Sequence, residues 1–219
     1  MIFNKLFAGA LALSCVWIAP VTGVSTASAQ SYPTPAIAPS AWQLDFDYQT
    51  PKRIVVETPG QSLPKAYWYL AYRVTNNTDR EQMFLPVFEM MTNDGNIIRS
   101  DQHVAKAVFD AIKRRENNQF LQPFPQIAGQ LLIGEDQAKD GVAIWEEPAA
   151  RMGRFSIFVS GLSGEVAEVK DSSGNVLKDR NGRAVQLRKT LQLNFHVRGD
   201  EIRPGEDQVN VNYKQWIMR

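Results

Sequence analysis

The chain has 219 residues, with 24 Lys and Arg against 23 Asp and Glu, and a formal net charge of +1. No block of like charge stands out, and phosphate binding needs clustered Lys and Arg, so nucleic acid is excluded as a partner. Cys15 is the only cysteine. Once the leader is removed the chain can form no disulfide, Cys-ligated zinc site or thiol nucleophile, and the fold must rest on an apolar core.

Lys5 is the only charge before Asp45, and Leu6 to Pro20 is apolar apart from Ser14 and small residues. One basic residue, an apolar stretch and then Ala27-Ser28-Ala29 is the layout of a signal peptide over residues 1–29. Ala27 and Ala29 suit the shallow pockets of signal peptidase, which places the mature start at Gln30. An uncleaved anchor would need about 18 apolar residues, and Pro20, Thr22 and Gly23 interrupt that count. A lipid anchor on Cys15 fits poorly, because Leu13 stands one place late for a lipobox. The expectation is therefore an exported protein, periplasmic or extracellular, with no stable membrane insertion after cleavage.

Residues 30–41 hold three prolines and no charge, and read as a Pro-rich flexible linker. Residues 42–219 read as a single domain. Leu44, Phe46 and Tyr48 alternate with Asp45 and Asp47, Ile54 to Val56 is a short apolar run, and residues 66–75 form the next strand. Asn76 to Asp79 is a turn signal. Residues 82–91 continue as a strand into Asn93-Asp94-Gly95, which favours a tight hairpin.

Val104, Ala107, Val108, Ala111 and Ile112 fall on one helical stripe and predict a helix over about 102–116. Asp101 is its expected cap, and Lys113, Arg114 and Arg115 suit its C-terminal dipole. Strands resume at 141–146 and 154–160. Two turns, Asp171 to Gly174 and Asp179 to Gly182, flank Val176-Leu177 in a meander. From Val185 to Val197 the apolar residues keep one parity, with only Lys189 out of place. Val209, Val211 and Tyr213 suggest a closing strand. Many strands, frequent turns and one helix predict an antiparallel β-sandwich with a helical insertion.

Tyr72-Arg73-Val74-Thr75-Asn76-Asn77-Thr78 resembles the strand and turn of bacterial extracellular immunoglobulin-like domains. Leu132-Ile133-Gly134-Glu135 and then Gly141 to Glu146 are similar to their Gly-Glu loop and following strand. The resemblance covers about residues 66–160. It implies an immunoglobulin-like sandwich and a non-enzymatic envelope or surface module, with the helix and the tail after 165 as departures.

Chemistry is sparse along the chain. His103 and His196 show no metal-ligand spacing and read as solvent-facing. Gly161-Leu162-Ser163-Gly164 is one residue short of a nucleophile elbow and reads as a loop. Glu146 and Glu147 point to opposite faces of a strand, which prevents them from pinching one bond. The turns at 171–174 and 179–182 lack the calcium-loop order. No catalytic residue, metal ligand or cofactor is expected, and the chain is read as not an enzyme.

The aromatic strand offers the one candidate contact surface. If Trp68, Leu70, Tyr72 and Val74 fill the core, then Tyr67, Tyr69 and Arg73 face outward, unless the helix covers them. The composition is that of interface hot spots. The function expected is binding or scaffolding in the cell envelope, with an envelope protein or a polysaccharide as partner. A polysaccharide-binding module using Tyr67 and Tyr69 or an exposed tryptophan is the first rival, and a hydrolase without a recognisable motif the second.

Overall fold

A computed structural model describes residues 32–58, 60, 62–148, 152–197 and 209–219. The expected leader, with Ala27 and Ala29, lies outside the described residues. The chain is mainly β. In order come β1 (Asp45–Tyr48), β2 (Lys52–Val56), β3 (Lys65–Thr75), β4 (Gln82–Phe84), β5 (Val87–Met91) and β6 (Ile97–Arg99). Then follow the helices α1 (Lys106–Glu116) and α2 (Phe124–Ile127), and the strands β7 (Gly129–Leu131), β8 (Lys139–Glu146), β9 (Arg154–Ser160), β10 (Val166–Glu168), β11 (Gln186–Val197) and β12 (Val209–Met218).

The first antiparallel sheet is organised by β3. On one side it pairs with β1 and β2 in line, Phe46 against Val74 and Arg53 against Trp68; on the other it pairs with β8, Trp68 against Trp145. Pro51 has no N–H for the ladder and marks the break between β1 and β2. The amide of Gln49 spans the break by donating to Ala71 O at 2.9 Å. The second antiparallel sheet runs β12, β11, β9, β5, β6, with β10 pairing β11 beyond the end of β9. A small ribbon joins β4 to β7.

Both larger sheets feed one apolar cluster. Leu70, Tyr72 and Val74 from β3 share it with Phe88 and Met90 from β5, Ile157 from β9 and Leu193 from β11. The second face of β3 is buried too. Tyr67 and Tyr69 join Val108 and Ile112 of α1 in a separate cluster. Each fully buried aliphatic side chain contributes about 1.5–3 kcal/mol, so Val108 and Ile112 suffice to dock so short a helix.

Several expectations change on contact with the tertiary structure. The single strand expected over 82–91 is two, because Leu85-Pro86 breaks it: β4 turns to β7 while β5 enters the second sheet. The helix starts at Lys106, and Asp101 does not cap it. The amide of Asp101 instead donates to Ile144 O at 2.7 Å, extending the edge of β8. The helix ends at Asn117, whose left-handed φ of 48° is one that Asn tolerates. Lys189, the residue out of parity in β11, is only 3% exposed. Its Nζ donates to Glu165 Oε2 at 2.9 Å and lies 5.3 Å from the Trp216 ring centre. Glu165 Oε1 accepts the amide of Ala36 at 2.7 Å, within the stretch read as a linker. The two Asp-to-Gly turns close as expected, with the Asp171 and Asp179 carboxylates each accepting two backbone amides of their own turns.

Candidate functional site

The expected contact surface does not exist. Tyr67 is 3% and Tyr69 1% exposed, because α1 lies on their face of β3. The Tyr69 hydroxyl donates to Glu116 Oε1 at 2.6 Å, and Lys52 Nζ lies 2.9 Å from the same carboxylate. Burial works to raise the Glu116 carboxyl, but Tyr69 and Lys52 outweigh it and hold the group below its ordinary value. Arg73 remains exposed, and its guanidinium is taken up by Asp140 at 2.7 and 3.0 Å. The three residues are therefore split between a buried anchor for the helix and a surface ion pair.

A different surface brings polar groups together: the outer face of the second sheet. Period two sends Gln192, Asn194 and His196 of β11 away from the core, as the alternation predicts. A single row crosses four strands there, Met91 pairing with Ser156, Ser156 with Asn194, and Asn194 with Tyr213. Tyr213 reaches this row only because β12 is irregular opposite Asn194 and Phe195. Val209 and Val211 stand opposite the inward-facing Val197 and Phe195; one extra residue, Asn212, then throws Tyr213 to the other face. The irregularity opens a groove of about 290 Å³ lined by Asn93, Arg154, Ser156, Asn194, Asn212 and Tyr213 among others.

The hydrogen bonds fix how Asn194 lies. Gln215 Nε2 donates to Gln192 Oε1 at 2.9 Å, which leaves the Gln192 amino group as the donor to Asn194 Oδ1 at 3.1 Å. Ser156 Oγ also donates to Asn194 Oδ1, at 2.7 Å. Asn194 Nδ2 is thereby turned away from both, and it is buried without a hydrogen-bond partner among the described residues. An orphaned buried donor costs about 1–3 kcal/mol, so this amide is conspicuous in the energetics. Asn194 is 8% exposed while Tyr213 beside it is 53% exposed. Arg154, also exposed, forms no ion pair among the described residues. The Ser156 hydroxyl hydrogen is thus committed to an amide oxygen.

Two other features stand apart from the groove. Asp101 lines a cavity of about 230 Å³ with Phe88, Arg99 and Phe124, in a left-handed conformation with φ 60°. Burial pushes its carboxyl up to about 6, against the pull of the Ser100 hydroxyl at 2.5 Å. An open depression of about 450 Å³ lies beside the end of α1, near Lys113 and Arg114; Lys113 there donates to Leu121 O at 3.1 Å. Glu147 binds Arg53 and Trp68 Nε1 while Glu146 binds Lys65, so the two neighbours serve different partners. His103 is exposed on the loop before α1, whereas His196 lies on β11 beside Arg154. Among the described residues, no three His, Cys, Asp or Glu cluster as a metal site would require, and no helix is long and apolar enough to cross a membrane.

Sequence reasoning missed the groove because its components come from four strands and one bulge. The one signal was the outward parity of Gln192, Asn194 and His196, which names a face and not a pocket. No protein-family model, curated protein or solved structure matches this chain.

Proposed function

We propose that this chain is an exported, non-enzymatic binding protein of the cell envelope that takes its ligand in the groove on the outer face of the second sheet. The observation that carries this reading is the groove itself, where the exposed Arg154, the amides of Asn93 and Asn212 and the half-exposed Tyr213 converge. Ligand sites combine apolar and aromatic surface with a few convergent polar groups. The scaffold is an immunoglobulin-like β-sandwich with α1 inserted. Two features support it: the apolar cluster shared by both sheets, and the bond from Gly134 N to Asn76 O at 2.9 Å, which joins the two motifs of the resemblance. Export rests on the leader sequence, and N-terminal sequencing of the exported protein should read Gln-Ser-Tyr-Pro.

Retention of the purified mature chain on isolated envelope material tests the binding site. Tyr213→Ala and Asn212→Ala should each stay folded and lose retention by about tenfold, the effect of about 1.4 kcal/mol of lost contact. Unchanged retention of both folded variants refutes the assignment of the groove.

A further inference from the structure

The groove is donor-rich, and this points to the chemistry of its ligand. Arg154 stands two residues before Ser156 on the same strand face and pairs across with His196. Its guanidinium carries five donors in a planar fork suited to a carboxylate. Among the described residues the lining includes no Asp or Glu. Asn93 and Asn212 add amides able to donate to and accept from hydroxyl groups. Tyr213 contributes a half-exposed ring at the bulge, a flat apolar surface with a polar tip. The volume of about 290 Å³ is at the small end for ligand sites and suits one ring of a longer chain.

Building on the binding role proposed above, we infer that the groove seats a carboxylate-bearing sugar unit, a hexuronate within a polysaccharide. The carboxylate sits against Arg154, the hydroxyls meet Asn93 and Asn212, and the C–H face of the ring lies on Tyr213. A neutral sugar would leave the guanidinium unused. A compact inorganic anion would leave Tyr213 unused.

Calorimetric titration of the mature chain with short oligomers of galacturonate, glucuronate and mannuronate, each beside its neutral methyl ester, tests the inference. The acid form of at least one should bind about tenfold or more tightly than its ester. Arg154→Gln should erase that preference without lowering the melting temperature, and Tyr213→Ala should weaken acid and ester alike. Equal affinity for acid and ester, or binding to neither, overturns the hexuronate assignment. In that event, loss of envelope retention by Tyr213→Ala would keep the groove as the binding site for another ligand. Retention unaffected by Tyr213→Ala would overturn both.

Discussion

Replacing Asp101 by Asn should stabilise the protein near neutral pH and leave it unchanged in acid. Asp101 lies between β6 and α1, with its amide held by Ile144 O at 2.7 Å and its carboxylate accepting from Ser100 Oγ at 2.5 Å. Burial lifts its carboxyl from an ordinary 3.8 to about 6. The folded value is the higher one, so between the two the folded chain holds a proton that the unfolded chain has released. Stability therefore falls as pH rises from about 4 to about 6, and the deficit persists above that. A difference of about two pKa units is worth about 3 kcal/mol. Asn keeps the shape, tolerates the left-handed φ of 60°, and still offers an oxygen to Ser100. Urea unfolding of parent and variant at about pH 4 and about pH 7 measures the effect, with an unchanged m value as the check on two-state behaviour. Asp140, Glu147 and Glu116 carry depressed carboxyls that stabilise the fold above the ordinary carboxylate range and lose that contribution on acidification. They are common to both proteins and cancel in the difference. A variant no more stable than the parent at about pH 7, or equally stabilised at both pH values, would refute the burial argument.

Val108→Asp places a charge in the cluster that α1 forms with Tyr67 and Tyr69, and should cost several kcal/mol, on the order of the penalty for an unpaired buried group; an unchanged melting temperature would contradict the packing. Lys189→Met leaves the Glu165 carboxylate buried with, among the described residues, the Ala36 amide as its remaining donor, and should cost about 3–5 kcal/mol. Adding Glu165→Gln removes the stranded charge and keeps that amide bonded, so chemical denaturation of the double variant should recover most of the loss. A double variant no better than the single one would place the damage in lost packing against Trp216 rather than in the ion pair.

Local pattern was enough wherever a residue's fate depends on its neighbours along the chain. The alternation of β11, the helical stripe of α1 and the Asp-to-Gly turns at 171–174 and 179–182 are all legible, because period and turn chemistry are local properties. The helix boundary was less so: the cap position falls to Ala105, while the Asp101 amide is held by Ile144 O on a distant strand and its carboxylate by Ser100. Pro86 shows the same limit. A proline can announce a break, but only the arrangement of sheets decides that β4 and β5 part company there.

The sequence by itself determined the mainly antiparallel β composition and which residues of β11 face away from the core; as an expectation it also carries the export signal. Only the tertiary structure decided which second face is covered. Tyr67 and Tyr69 obey period two, yet α1 returns over them, and nothing within residues 65–75 encodes where a helix forty residues later will settle. Lys189 likewise breaks parity for a reason found at Glu165, and Tyr213 changes face through a one-residue irregularity that exists only in register with β11. The groove is the sum of such non-local choices: Met91, Ser156, Asn194 and Tyr213 form one row because four strands pair in one register.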